Sequence, residues 1–384
     1  MSYTVLARRY RSNSFDELVG QEPIARTLAA AIEHNRVAHA YLFCGTRGVG
    51  KTSMARIFAK ALNQADANPE VAKAIMTGQD TDVIEIDAAS NTGVDNARDL
   101  IANANYIPMR GPYKIYIIDE VHMLSTNAFN ALLKTMEEPP AHVKFILCTT
   151  ESHKVPATIQ SRCQRFDFRN IAVSRIAEHL SSVIKAEGLS AEPELVQEVA
   201  KLGNGSMRDA LSLLDRVIAA GEKKLTVALL ASLLGLPDRQ LVGSLIDAIA
   251  SGDVRTTLEV ADDLLSRGSG SNLFLETLCE RFRDLMVIAA CGGETPLVEL
   301  SDVARTQEAA RAAHFEAAQL SHMIAICDAV QRMVRNSASP RALIEATLVR
   351  LALTEQFADA AATASATPSA TTGNAGRGAL AKKR

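Results

Sequence analysis

Residues 45–52 read Gly45-Thr46-Arg47-Gly48-Val49-Gly50-Lys51-Thr52 and are followed by Ser53. This stretch fits the phosphate-binding loop pattern G-x-x-x-x-G-K-[ST] at every fixed position. An apolar run over residues 40–44 leads into this loop and predicts a buried strand. After the loop, one face of a predicted helix carries Met54, Ile57, Phe58, Ala61 and Leu62. A strand, a glycine loop and a helix in this order predict a site that binds the phosphates of a nucleotide.

The residue types of the loop indicate how it would work. Glycines allow backbone N–H groups to turn towards a phosphate chain, and the helix N-terminus adds a positive dipole end. Lys51 is expected to reach the β- and γ-phosphates, and the Thr52 hydroxyl is expected to bind Mg²⁺. The alternative is a glycine-rich turn with a surface lysine, which the strand and helix on either side disfavour.

A second motif lies downstream, where the predicted strand from Tyr113 to Ile118 ends in two acids, Asp119 and Glu120. At the carboxyl edge of a parallel sheet, Asp119 can hold Mg²⁺ through water, while Glu120 orients and polarises the attacking water. Acids at strand ends are also common as solvated turn residues. The upstream phosphate loop favours the hydrolytic interpretation.

The order of the predicted elements gives the fold class. Strands alternate with helices up to about residue 168, which predicts a parallel sheet with helices on both faces. From about Asn170 the strand signal disappears and amphipathic helices follow. We therefore predict an α/β phosphate-loop domain over residues 1–171, an all-α domain over 172–237 and a second all-α domain over 238–357. Residues 358–384 are rich in Ala, Thr and Ser, which predicts a disordered tail.

Composition narrows the function classes. The chain has 384 residues, of which 47% are hydrophobic and 22% charged, as expected for a globular protein of two or three domains. The net charge of −3 provides no overall attraction to nucleic acid, so any such contact must be local. No apolar segment approaches membrane-spanning length, and the N-terminus lacks a secretory apolar region, so we expect a cytoplasmic protein. The six cysteines are scattered and predict neither a zinc site nor a disulfide framework.

Several further strings, in order, resemble one family. They are ARRYR at 7–11, VGQE at 19–22, IDEVHML at 118–124, NALLK at 130–134, EEPP at 137–140, TTE at 149–151, SRC at 161–163 and GSMRDA at 205–210. With the phosphate loop, they resemble the gamma/tau family of bacterial DNA polymerase III clamp loaders, which are AAA+ ATPases. The similarity is dense over residues 1–215 and looser to about 357. It implies that residues 172–237 form the helical lid and that residues 238–357 form an oligomerisation collar.

The resemblance implies roles that spacing alone does not give. Thr150 matches the sensor 1 position, a polar group near the γ-phosphate, and Arg208 matches a sensor 2 arginine on the lid. Arg162 matches an arginine finger, which would complete the nucleotide site of a neighbouring subunit. An ordinary surface arginine is the alternative for Arg162. The segment that lies against the adenine is matched by Val19, Gly20 and Gln21.

The resemblance also bears on DNA and zinc. The positions that face DNA phosphates in the family are matched by Ser90, Thr92 and Lys134, although Lys134 could equally be a solvated helix residue. Asn91 stands where a basic residue is usual, which is expected to weaken a phosphate contact. Family members usually carry a four-cysteine zinc module after the phosphate-loop helix. Residues 64–80 contain no cysteine or histidine here, so we expect no structural zinc.

The function implied by the resemblance is ATP-dependent loading of the replicative sliding clamp onto primed DNA, with Mg²⁺ as cofactor and hydrolysis driving release of the clamp. The implied partners are the clamp, primed DNA without sequence preference, and delta- and delta-prime-type subunits in a hetero-oligomeric ring. Chains of this family are catalogued with DNA-directed DNA polymerase, but we expect no polymerase active site in this one.

Two alternatives stay open at this point. One is another AAA+ motor, such as a Holliday-junction branch-migration helicase, which should carry a winged helix in place of an all-helical collar. The other is a structural loader subunit that binds nucleotide poorly. The intact set of Lys51, Thr52, Asp119 and Glu120 argues against this second alternative.

Overall fold

The structure is a computed structural model that describes residues 4–90, 106–235, 237–266, 270–298, 300 and 302–354. The chain divides into two compact units, Met1–Leu230 and Ala231–Arg384. The sequence also predicts a helix from Ser90 to about Asn105. Except for Ser90, this helix lies outside the described residues, and so do Thr92 and the predicted tail over residues 358–384.

The first part of the first unit alternates helices and strands. They are α1 (Leu6–Arg9), α2 (Glu22–Glu33), β1 (Ala40–Cys44), α3 (Lys51–Leu62), α4 (Pro69–Thr77), β2 (Val83–Asp87), β3 (Lys114–Asp119), α5 (Thr126–Glu137), β4 (Val143–Thr149), α6 (Ala157–Gln160) and β5 (Gln164–Asp167). Strands β1 and β3 begin and end within one residue of the positions expected from the sequence. Short 3-10 turns follow β3 and β4, at Val121–Met123 and Ser152–Lys154.

The five strands form one sheet in the order β2-β3-β4-β1-β5, and every pair is parallel. Strand β4 separates β1 from β3, with Cys44 opposite Thr149 and Ile118 opposite Leu147. Since parallel strands end at the same edge, the phosphate loop, the two acids and Thr150 all emerge there. Buried clusters cover both faces of the sheet, as exemplified by Phe43 on one face and Leu42 on the other.

Helix α3 packs against the sheet with a wider face than its spacing predicts. Met54, Ile57, Phe58 and Leu62 are buried as expected, whereas Ala61 is only partly buried. The small residues Ala55 and Ala59 are also completely buried. Small side chains on the flank let the helix approach the sheet closely, which fixes the position of the phosphate loop at its N-terminus.

A helical segment follows the sheet, with helices α7 (Val173–Ala186), α8 (Pro193–Leu202) and α9 (Met207–Ile218). Two short strands, β6 (Ser190–Ala191) and β7 (Lys224–Leu225), pair in parallel beside them, a small departure from the expected all-α composition. Two residues per strand leave almost no periodic signal, which is why the sequence did not predict them. Ser206 caps α9 by accepting a hydrogen bond of 3.2 Å from Asp209 N.

Helix α10 (Val227–Leu234) runs across the division between the two units. The second unit then contains α11 (Arg239–Ala250), α12 (Val254–Ser266), α13 (Ser271–Cys291), α14 (Asp302–Ala312), α15 (Ala317–Val334) and α16 (Pro340–Ala352). Its core includes Leu245, Leu278, Phe282 and Leu348, all almost completely buried. Its described residues form helices and no strand, which disfavours the winged-helix alternative.

The α/β class followed by helical segments is confirmed, while the boundaries at 171 and 237 stay predictions. Among the described residues, no single helix is long and apolar enough to span a membrane, and one bent helix pair, Val227–Leu234 with Arg239–Ala250, meets that test only jointly.

Candidate nucleotide site

The phosphate loop is shaped by close contact with the helical segment that follows the sheet. Gly48 has a φ of 77°, and a Cβ atom on it would lie 1.9 Å from Ser206 Oγ. Met207 N donates a hydrogen bond of 3.1 Å to Gly48 O. Only glycine satisfies both the left-handed backbone and the close approach. The loop is therefore braced by the start of α9, in addition to the sheet.

The Lys51 side chain is folded onto the loop. Its Nζ atom donates hydrogen bonds of 2.8 Å to Gly45 O and 2.8 Å to Thr46 O. Only 5% of Lys51 is exposed, and burial lowers the pKa of its ammonium group from the ordinary lysine value. A buried cation held by carbonyl oxygens alone is under-compensated, so an anionic phosphate chain would be a favourable partner.

Thr52, in the first turn of α3, and Asp119, at the end of β3, bring two oxygen ligands together. Thr52 Oγ1 donates a hydrogen bond of 2.7 Å to Asp119 Oδ2, and Asp119 Oδ1 accepts one of 3.0 Å from Glu120 N. A hydroxyl and a carboxylate are hard ligands of the kind that Mg²⁺ prefers. No group of three or more His, Cys, Asp or Glu side chains that could hold a metal occurs among the described residues. A pair of oxygen donors fits Mg²⁺, because this ion usually keeps waters and substrate phosphates as its other ligands.

Glu120 is held beside Thr150. Its φ is 47°, a left-handed value that is uncommon for a residue other than glycine. Its Oε2 atom accepts hydrogen bonds of 2.9 Å from Thr150 Oγ1 and 3.2 Å from Thr150 N. The two residues that sequence reasoning assigned to water activation and to sensor 1 are therefore direct neighbours.

Lys51, Thr52, Asp119 and Glu120 border a cavity of about 1160 Å³, which Thr150 does not line. Of the candidate residues, those that line it are Val19, Arg47, Gly48, Val49, Gly50, Lys51, Thr52, Ser53, Asp119, Glu120 and Arg208.

Gln21 is 2% exposed and braces the phosphate loop, with its Nε2 atom 2.7 Å from Arg169 O and 3.4 Å from Val49 O. Thr46 Oγ1 donates a hydrogen bond of 2.6 Å to Asn170 Oδ1. Gly20 packs against Ile171.

The remaining candidates lie elsewhere. Arg162 donates hydrogen bonds of 2.7 Å to Thr158 O and 2.7 Å to Glu137 Oε1, and it does not line the cavity. Lys134 is exposed on the last turn of α5. Ser90 is exposed as well, and its Oγ atom donates a hydrogen bond of 3.2 Å to Asp87 Oδ2.

Several residues that line the cavity belong to none of the motifs to which a role was assigned. Arg8, Tyr10 and Arg11 border it from the N-terminal segment, and His179 borders it from α7. Burial, reinforced by the nearby Arg56 cation, lowers the pKa of Arg11. The cluster of arginines at residues 8–11 can be recognised in the sequence as a candidate phosphate-binding group. His179 gives no such signal, because it is a single polar residue on an amphipathic helix.

Three family models match consecutive parts of the chain. The model of the DNA polymerase III delta subunit matches residues 20–172, and that of the clamp loader subunit ATPase lid domain matches 175–223. The model of domain III of the DNA polymerase III gamma and tau subunits matches residues 225–365.

Curated relatives agree with these models. DNA polymerase III subunit tau of Bacillus subtilis is 40% identical over 362 residues, which cover 92% of this chain and 64% of that protein. The tau subunit of Escherichia coli is 43% identical over 319 residues, which cover 80% of this chain and 50% of that protein. The chain thus spans about half to two thirds of the length of these relatives.

Solved structures are more distant. The Holliday junction branch migration motor RuvB of Thermotoga maritima is 19% identical and superimposes with a TM-score of 0.47, covering 62% of this chain and 79% of that one. A similarity at this level does not distinguish one function from another. The consecutive family models and the curated relatives identify the family. The chain belongs to the gamma/tau family of DNA polymerase III clamp-loader subunits.

Proposed function

We propose that the chain is an ATP-hydrolysing motor subunit that loads a replicative sliding clamp onto primed DNA. The observation that carries this proposal is the convergence of Lys51, Thr52, Asp119 and Glu120 on one cavity at the carboxyl edge of the sheet. The 2.7 Å hydrogen bond between Thr52 and Asp119 supports a site that is already assembled for the metal–nucleotide complex. A structural subunit without nucleotide binding would have no need of this set.

Each of these residues has a defined task in the proposal. The loop N–H groups and Lys51 bind the β- and γ-phosphates, while Thr52 and Asp119 hold Mg²⁺. When bound, Mg²⁺ neutralises charge on the phosphate oxygens. The Glu120 carboxylate accepts a hydrogen bond from the attacking water and orients it. Thr150 senses the same region, since its hydroxyl already contacts Glu120.

The location of Arg162 supports a shared site. The arginine does not line the cavity of its own chain, and its only described partners are Thr158 and Glu137. We infer that it completes the site of a neighbouring subunit, which requires a heterologous, head-to-tail contact within a ring of loader subunits. Delta- and delta-prime-type subunits are the proposed neighbours.

Lid and DNA contacts belong to the same proposal. Arg208 lines the cavity next to the hydrogen bond between Met207 and Gly48. An ion pair between Arg208 and the nucleotide phosphates would therefore act on the start of α9. Ser90, Thr92 and Lys134 are the proposed DNA contacts. They would bind phosphates, and their binding would therefore be sensitive to salt.

We further propose a cytoplasmic location, no structural zinc, and domains at residues 1–171, 172–237 and 238–357.

The test is ATP hydrolysis by the full chain assembled with its loader partners, measured with and without clamp and primed DNA. Glu120→Gln should still bind ATP but lose stimulated hydrolysis by about 10²–10⁴-fold, the usual contribution of a positioned general base. Lys51→Ala should lose ATP binding. The control is Lys185→Ala, which removes an exposed lysine of α7. Hydrolysis that survives in Glu120→Gln, or ATP binding that survives in Lys51→Ala, would contradict the proposal.

A further inference from the structure

A buried histidine connects the ends of β3 and β4 beside the catalytic carboxylate. His122 lies on the 3-10 turn that follows Asp119 and Glu120, and only 6% of its side chain is exposed. Its Nε2 atom is 3.1 Å from Glu151 Oε2. Its Nδ1 atom is 3.0 Å from Thr149 Oγ1 and 3.4 Å from Glu120 Oε2. The imidazole thus stands between two carboxylates that come from different strands.

The hydrogen-bonding capacities of these groups fix the orientation of the ring. A carboxylate only accepts, so Nε2 must carry the hydrogen that it shares with Glu151, and Nδ1 must carry a hydrogen too for its 3.4 Å contact with Glu120 Oε2 to be attractive. Thr149 Oγ1 accepts a hydrogen bond of 3.0 Å from Glu151 N, which ties the threonine to the same turn. With both ring nitrogens engaged and the side chain buried, the imidazole cannot turn away. Its Nδ1 edge is therefore held next to Glu120 Oε2.

Glu120 depends on such neighbours for its position. Its backbone lies in the left-handed region, so its side-chain direction is not set by regular strand geometry. Its Oε2 atom is enclosed by Thr150 N, Thr150 Oγ1 and the Nδ1 edge of His122. Two of these three groups come from Thr150, and His122 closes the remaining side.

We infer that His122 is a positioning residue for Glu120, holding the carboxylate that orients the attacking water. This inference rests on the proposed hydrolytic function and adds a residue to it. His122 does not line the cavity, so it acts through Glu120 and not on the nucleotide. Side chains that hold a reacting residue in place without touching the substrate typically change activity by about 10–100-fold when they are removed.

The experiment compares three substitutions in the full chain assembled with its partners, clamp and primed DNA. His122→Ala should lower kcat by about 10-fold or more and leave the Kd for ATP within about twofold of the parent. His122→Asn keeps a polar atom near the place of Nδ1 and should restore most of kcat. His122→Gln can reach Glu151 but places no polar atom beside Glu120, so it should stay slow. His153→Ala is the matched control, because His153 lies 4.0 Å from Glu151 but is 75% exposed.

A crystal structure of the His122→Ala variant gives a readout that does not depend on hydrolysis. We expect the Glu120 carboxylate to leave hydrogen-bonding distance of Thr150 Oγ1. An unchanged kcat, equal losses in the Asn and Gln variants, or an unmoved Glu120 would overturn the inference. If the parent assembly itself hydrolysed no ATP, the proposed function would fail, and the position of Glu120 in the variant would still decide the role of His122.

Discussion

Thr52 Oγ1 donates a 2.7 Å hydrogen bond to Asp119 Oδ2, although the two residues are 67 positions apart in the chain. Thr52 lies in the first turn of α3, after the loop that follows β1. Asp119 is the last residue of β3, which is two strands away from β1 in the sheet. Their contact exists because parallel strands deliver their carboxyl ends to one edge. This pair joins the phosphate loop to the acids that follow β3, and it provides the proposed metal ligands.

The first prediction concerns this pair. Thr52→Ala removes the hydroxyl, so we expect the Mg²⁺ concentration for half-maximal hydrolysis to rise by about tenfold or more. Thr52→Ser retains a hydroxyl at the same place and should stay close to the parent. A titration of ATPase activity with Mg²⁺ at saturating ATP measures the difference. An alanine variant with the parental Mg²⁺ dependence would exclude Thr52 as a metal ligand.

A second prediction concerns the shared site. Arg162→Ala should leave ATP binding intact and lower clamp- and DNA-stimulated hydrolysis by about 10³-fold, the lower end of what an arginine finger contributes. The lost ion pair with Glu137 is partly exposed and should barely change the Tm. Arg165→Ala is the control, because Arg165 is an exposed arginine on the neighbouring strand β5 that pairs with Asp167. Equal stimulated rates for the parent and Arg162→Ala would refute the assignment in trans.

A third prediction tests the contact between the phosphate loop and α9. Gly48→Ala combines a φ of 77° with a clash against Ser206 Oγ, so we expect the free energy of unfolding to fall by about 1–3 kcal/mol. Adding Ser206→Gly should recover part of this loss, since it removes the clashing atom. Gly188→Ala shares the backbone strain, with a φ of 71°, but meets no atom within 4 Å. Chemical denaturation of the parent, Gly48→Ala, Ser206→Gly and the double variant gives the coupling energy between the two positions, and strictly additive losses would show that Ser206 is not the obstacle.

A fourth prediction gives a pH dependence. Lys144 is 8% exposed, its Nζ lies 5.0 Å from the Tyr113 ring, and burial lowers its pKa below the ordinary lysine value. Lys144→Met should therefore raise the free energy of unfolding by about 1 kcal/mol at pH 7, where the charged form is costly to bury.

The sign of the pH effect follows from the direction of that pKa shift. Between the lowered folded pKa and the ordinary value near 10.4, the unfolded chain binds more protons, so stability rises with pH. The advantage of Lys144→Met over the parent should shrink across this window. Denaturation at several pH values from 7 upward measures it, with Lys185→Met, an exposed substitution, as the control. An advantage that stays constant with pH would rule out the charge of Lys144 as its cause.

Sequence reasoning predicted local features well. The positions of β1 and β3 and the α3 face around Met54 and Phe58 were predictable because they depend on residue periodicity. The two-residue strands β6 and β7 were missed, because pairing of such short segments is decided by neighbours in space. Likewise, no spacing along the chain indicates that Arg8 and His179 border one cavity.

Neighbouring residues along the chain are enough to predict a phosphate loop, a strand that ends in two acids, and helical segments after residue 170. Three further features depend on how the chain folds: Thr52 contacts Asp119, Thr150 and His122 enclose Glu120, and Arg162 does not line the cavity of its own chain. The strand order explains why these features carry no signal in the sequence. Placing β4 between β1 and β3 brings residues together whose separation in sequence carries no signal of contact.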